Sequence, residues 1–104
     1  MWVKESRIEV APGSFPQCVV GALANAGHHT PMMRSDSDGR PRIVTFVLSG
    51  ALNVTEIPSH TVNTELLQLR LIGRGFSPPK NTEPEIDKAM GSLTTAIAKA
   101  CNTG

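Results

Sequence analysis

Aromatic residues are scarce in this chain: Trp2, Phe15, Phe46 and Phe76 are the whole supply among 104 residues, and tyrosine is absent. All four stand where a core would use them, which predicts that no aromatic platform is left for stacking bases or sugars. The core must then come from Leu, Val, Ile, Ala and Met. A charge excess is missing too, with ten basic residues against nine acidic ones and a formal charge of +1. Domains that hold polyanions mainly through phosphates carry a clear basic surplus, so bulk electrostatics do not favour nucleic acid. The longest apolar run, Cys18 to Ala26, is too short to span a bilayer. Met1 and Trp2 lead straight into Lys4, Glu5 and Arg7, without the apolar stretch of a secretion signal. These features predict a soluble, cytoplasmic protein with no membrane partner. Only two cysteines are present, Cys18 and Cys101, far apart and without CxxC spacing. In a reducing compartment that reads as a pair of buried free thiols, and the Asn53-Val54-Thr55 sequon has no glycosylation role there.

What remains is ordinary for a packed protein, with 39% hydrophobic and 18% charged residues in a chain long enough for one core. One α+β domain spanning 1–104 is expected. Trp2 to Val10 alternates with Trp2, Ile8 and Val10 on one face, and Lys4 and Ser6 on that same face indicate an edge strand. Ser14-Phe15-Pro16-Gln17 has the pattern of a capping box opening a first helix that stops at Asn25-Ala26-Gly27. That helix has only a thin polar stripe of Gln17, Gly21 and Asn25, so it should be covered on more than one side, by this chain or by a second subunit. Ile43 to Leu48 is an almost unbroken apolar run, fitting a central strand covered on both faces or a subunit contact. A short turn joins it to Leu52–Ile57, and Asp38-Gly39 turns a further hairpin from a short strand within Thr30 to Arg34. Leu67, Leu69 and Leu71 alternate with polar Gln68 and Arg70 as in another strand, with a helix over 65–72 as the alternative.

Thr82-Glu83-Pro84-Glu85 repeats the capping signal before Ile86, Met90, Leu93 and Ile97, the stripe of an amphipathic helix. Gly91 interrupts it and suggests close approach by another backbone. The order β-α-β-β-β-α, with one more short strand before residue 40, predicts a two-layer sandwich: a mainly antiparallel sheet of four to five strands with two helices on one face.

No constellation of catalytic or metal-binding spacing accompanies this architecture. His28, His29 and His60 lack further ligands at zinc-motif spacing, and Asp36-Ser37-Asp38-Gly39 lacks the later acidic residue of a calcium loop. No metal and no cofactor are expected. Cys18, in the first turn of a helix, is the one placement that would activate a thiol, and its apolar neighbours read instead as packing. Gly73-Arg74-Gly75-Phe76 after a strand is a loop of the kind that can cradle phosphate, without P-loop spacing. With Ser77 it resembles a fragment of double-stranded RNA-binding domains, whose next helix opens on basic residues; here Pro78, Pro79 and then Glu83, Glu85 and Asp87 stand in that place.

The leading expectation is a protein-protein interaction module that also forms a homodimer, an accessory or inhibitory protein of phage or plasmid type acting on a larger protein. Gln17, Gly21 and Asn25 of the first helix and Gly91, Thr94, Thr95 and Ala98 of the second are its self-association candidates. Arg40, Arg42, Arg70, Arg74 and Lys80 are its candidates for binding a partner, and the same basic residues carry the alternative of nucleic-acid binding. A small enzyme using Cys18 or a histidine is the remaining alternative.

Overall fold

A computed structural model describes residues 1–27, 31–48, 50–57, 63–78 and 82–101. Its elements are β1 (Trp2–Val10), α1 (Gln17–Asn25), β2 (Met32–Ser35), β3 (Pro41–Val47), β4 (Gly50–Ile57), β5 (Glu65–Gly73) and α2 (Glu83–Ala100). The strands form one antiparallel sheet in the order β1-β5-β4-β3-β2. Residues 65–72 lie in a strand, and the short strand before residue 40 exists as β2. β1 is an edge strand, as Lys4 and Ser6 on its inward face indicate. Lys4 satisfies its ammonium by reaching over to α2, where Glu83 Oε1 lies 3.0 Å away and Asp87 Oδ1 3.8 Å. The Glu83 hydrogen bond, ahead of the Coulomb attraction, raises the Lys4 pKa above its ordinary value.

Strand register places every fully buried sheet residue on one face. Ile8 and Val10 of β1, Leu67, Leu69 and Leu71 of β5, Leu52 and Val54 of β4 and Ile43, Thr45 and Val47 of β3 meet Val19, Ala22 and Leu23 of α1 and Ile86, Met90, Leu93 and Ile97 of α2. Each fully buried Leu, Ile or Val contributes about 1.5–3 kcal/mol of apolar transfer free energy, and here the transfer happens on one side of the sheet alone. β3 is therefore not covered on both faces: Ile43 and Val47 are buried whereas Phe46 stays 61% exposed. Its continuous apolar run comes from residues serving two different faces.

α2 starts where the sequence indicates and α1 two residues later than its Ser14 cap signal, and neither capping box forms. Pro16 and Thr82 occupy the N-cap positions with helical backbone angles and no side-chain cap hydrogen bond. The backbone supplies the first turns instead, the Cys18 N–H donating to the Ser14 carbonyl and the Ile86 N–H to that of Thr82. α1 is covered on one side only, with Gln17, Gly21, Ala24 and Asn25 exposed. Gly91 is exposed as well, and a Cβ built there would meet nothing within 4 Å. Among the described residues no backbone approaches it.

The cysteines are not free thiols. Cys18 at the start of α1 and Cys101 at the C-cap of α2 form a disulfide, their Cα atoms 6.0 Å apart. The helices bring them together: α1 packs on α2, and the Cys101 carbonyl accepts the Ala11 N–H at 2.8 Å, drawing the segment before α1 to the end of α2. The bond spans a sequence separation of 83 residues, a length for which restriction of the unfolded chain contributes on the order of 4 kcal/mol. Reduction, or Cys18→Ser with Cys101→Ser, is expected to lower unfolding stability by about 2–4 kcal/mol. Urea unfolding with and without reductant measures this, and equal midpoints would contradict it.

Gly73 is a glycine because of its neighbour across the sheet. It pairs with Trp2, and a Cβ at Gly73 would lie within the Trp2 indole ring. The indole thus lies over bare backbone at the end of β5 and is itself buried. A phosphate-cradling role for Gly73 has no support from this geometry. Gly73→Ala is expected to displace Trp2 and cost about 2 kcal/mol or more, with altered Trp2 fluorescence, because Trp2 is the only tryptophan in the chain. An unchanged spectrum and stability would refute the packing described.

Candidate functional site

The face of the sheet opposite the helices carries four rows of side chains set by strand register, the last being Glu9, Leu66 and Ile57 at the β4–β5 hairpin end. At one end Val3, Ile72, Ala51 and Phe46 stand side by side on β1, β5, β4 and β3. The second row is Glu5, Arg70, Asn53, Val44 and Met32, and the third is Arg7, Gln68, Thr55, Arg42 and Arg34. Among the described residues nothing covers these rows. Phe46 is largely exposed and Met32 more than a third so, while Met1 and Leu48 add exposed apolar surface at the Phe46 end. The expectation that every aromatic is buried is thus corrected. Trp2 and Phe15 are in the core, whereas Phe46 lies on the open face and Phe76 is fully exposed beyond β5.

Leu48 sits at the tip of the β3–β4 hairpin with φ 53°. A two-residue hairpin loop matches strand twist with left-handed backbone angles, which Gly or Asn adopts readily and Leu does not. The fold thus holds a bulky apolar side chain in a strained conformation and exposes it.

The arginines show a second departure from what folding alone requires. Arg34 and Arg42 are direct cross-strand partners, and like charges in that position destabilise a sheet. Neither makes an ion pair among the described residues, and the buried Nε of Arg42 meets no hydrogen-bond acceptor. Arg70 differs: its Nε lies 3.1 Å from Glu5 Oε1, an ion pair whose angle does not make a directed hydrogen bond.

Of the residues marked from sequence for partner binding, Arg42 and Arg70 come together on this face, joined by Arg7 and Arg34, which sequence alone did not single out. Arg74 lies beyond the end of β5, beside Phe46 and Ile72. Arg40 lies beside Glu56 at the β2–β3 hairpin. Lys80, His28, His29 and His60 fall outside the described residues. Among the helix candidates Gln17, Gly21, Asn25, Gly91 and Thr95 are exposed and Thr94 and Ala98 half-buried. Cys18 holds no free thiol in this structure, so its place in the first turn of α1 supplies no nucleophile. The Asp36 segment is a turn, its Oδ1 accepting the N–H groups of Asp38 at 3.0 Å and Arg40 at 2.9 Å. Among the described residues no three His, Cys, Asp or Glu side chains gather as a metal site requires. No protein-family model matches the chain, and no curated protein matches it in sequence.

Glu56 and Glu65 bring two carboxyl groups together at the hairpin end of the sheet. Desolvation first, then a hydrogen bond and repulsion from Glu65, raise the Glu56 pKa above its ordinary 4.5, with Arg40 opposing. The folded chain therefore binds this proton more tightly than the unfolded one. The stabilisation is complete below the ordinary carboxylate range and disappears as pH rises through the raised pKa. Glu56→Gln is expected to be at least as stable as the parent at pH 7, with its advantage vanishing below about pH 4. Thermal unfolding from pH 3 to 8 checks this; a loss of stability at pH 7 with no pH dependence would contradict it.

Proposed function

We propose that the chain is a protein-binding domain whose docking surface is the uncovered face of its sheet, and that its partner presents apolar side chains flanked by carboxylates. One observation carries the reading: the opposed Arg34 and Arg42, which make no ion pair among the described residues, share an open face with Phe46 and Met32. A partner carboxylate between the two guanidiniums relieves their repulsion, while Phe46 supplies the aromatic anchor that interfaces concentrate energy on. The accessory or inhibitory role suggested by the plainness of the sequence is compatible with such a surface.

The disulfide supports an oxidising compartment rather than the cytoplasm. Among the described residues no helix is long and apolar enough to cross a membrane.

Phe46 beside arginines also suits nucleic acid, which is the competing reading. It ranks second because Glu5 and Glu9 share the face, the formal charge is only +1 and a single aromatic stands there. A photo-crosslinking residue at Thr55 on the open face, with one at Thr95 on α2 as control, separates the readings in the native host. Acidic protein adducts are expected from Thr55 alone. Arg42→Glu is expected to weaken the captured partner's affinity by tenfold or more, about 1.4 kcal/mol. Nuclease-sensitive adducts would put nucleic acid first, and equal adducts from Thr95 would remove the face from consideration.

A further inference from the structure

β1 has an open outer edge. It pairs over its whole length, Trp2 to Val10, with β5 on one side, and it ends the sheet on the other. Proteins blunt long edge strands with proline, a bulge, a covering loop or inward-pointing charges; β1 has one such charge, Lys4, and it is taken up by Glu83 and Asp87 of α2. β1 contains no proline, its register with β5 is uninterrupted, and among the described residues no other strand pairs with it.

Its sequence is complementary to itself. If two β1 strands run antiparallel about a two-fold axis at Ser6, Glu5 of each chain falls opposite Arg7 of the other, on the open face. Arg7 makes no ion pair among the described residues, and Glu5 keeps an oxygen for it beyond the contact with Arg70.

Helix α2 supplies a second, independent observation. The Lys4 contacts fix which side of α2 looks toward the β1 edge, namely the side of Glu83 and Asp87. Gly91, Thr94 and Ala98 follow Asp87 at helical spacing on that side, while Ala96 and Ala100 on the other side face α1 across a groove. Thr94 turns its hydroxyl back onto the Gly91 carbonyl at 3.0 Å, leaving a flat flank. Paired strands lie about 4.8 Å apart and packed helices about 8–10 Å apart, so helices borne on neighbouring strands need small residues where they meet.

We infer that the occupant of this edge is a second copy of the chain: two β1 strands join the sheets into one continuous sheet, and the two α2 helices meet through Gly91, Thr94 and Ala98. The contact lies at the edge, away from Arg34, Arg42 and Phe46, so it stands or falls separately from the docking face. In the dimer the two uncovered faces become one surface of double width.

The test is light scattering at about 20 μM, with circular dichroism to confirm folding. The parent is expected at twice its 11.1 kDa mass. Arg7→Glu and Glu5→Arg each place like charges opposite one another twice, and each is expected to be monomeric. Mixed together they restore opposite charges at both positions, and a 1:1 heterodimer is expected. Should Glu5→Arg not fold, Ser6→Cys replaces it: at the two-fold axis the two side chains face, and covalent dimers are expected on oxidation. A parent that is monomeric at 100 μM overturns the inference, as does a dimer that survives Arg7→Glu or Ser6→Cys chains that do not cross-link.

Discussion

A sheet has two faces, and this chain has helices for one of them. α1 and α2, of nine and eighteen residues, cover the side that carries Leu67, Leu69 and Leu71 in the middle of the sheet. The hydrophobic effect is satisfied there, and the rest of the architecture adapts to that asymmetry. Inward positions of β1, β5, β4 and β3 beneath the helices are apolar apart from the buried Thr45 of β3. At the β1 edge they turn polar, as Lys4 and Ser6 do, and there Lys4 meets the acidic side chains of α2. Outward positions are released from packing and hold whatever their exposure demands, from Glu5 and Arg7 to Phe46.

Much of the inward half was legible in the sequence because it obeys periodicity. A two-residue alternation marks β1, β4 and β5, a helical stripe marks α2, and Asp38-Gly39 marks the hairpin that brings β2 beside β3. The outward half was not legible, for a physical reason that β3 illustrates. Ile43, Val44, Phe46 and Val47 form the same run whether a strand is buried on both faces or has one apolar face left open, and only the number of covering elements distinguishes the two. Phe46 was placed in the core by the same ambiguity. Arg7 lies far from Arg42 in sequence and becomes its row-mate only through strand register.

Other features depended on tertiary proximity or on the backbone. The Cys18–Cys101 bond joins positions 83 apart, and no local pattern reports such a distance. Ser14 and Thr82 have the residue types of cap boxes, yet the first helical turns close through carbonyls without a side-chain cap hydrogen bond. Gly73 and Gly91 look alike in sequence and mean different things: one makes room for an indole, the other borders open space.

The disulfide also changes what a cut in the backbone would do. Every peptide bond from Cys18 to Cys101 lies within a closed covalent ring, which includes the exposed turn at Asp36 to Arg40 and the hairpin tip at Leu48. A single cleavage at either place opens the ring but leaves both pieces attached to each other and to the same core. Such a chain can be nicked by a protease without being dismantled.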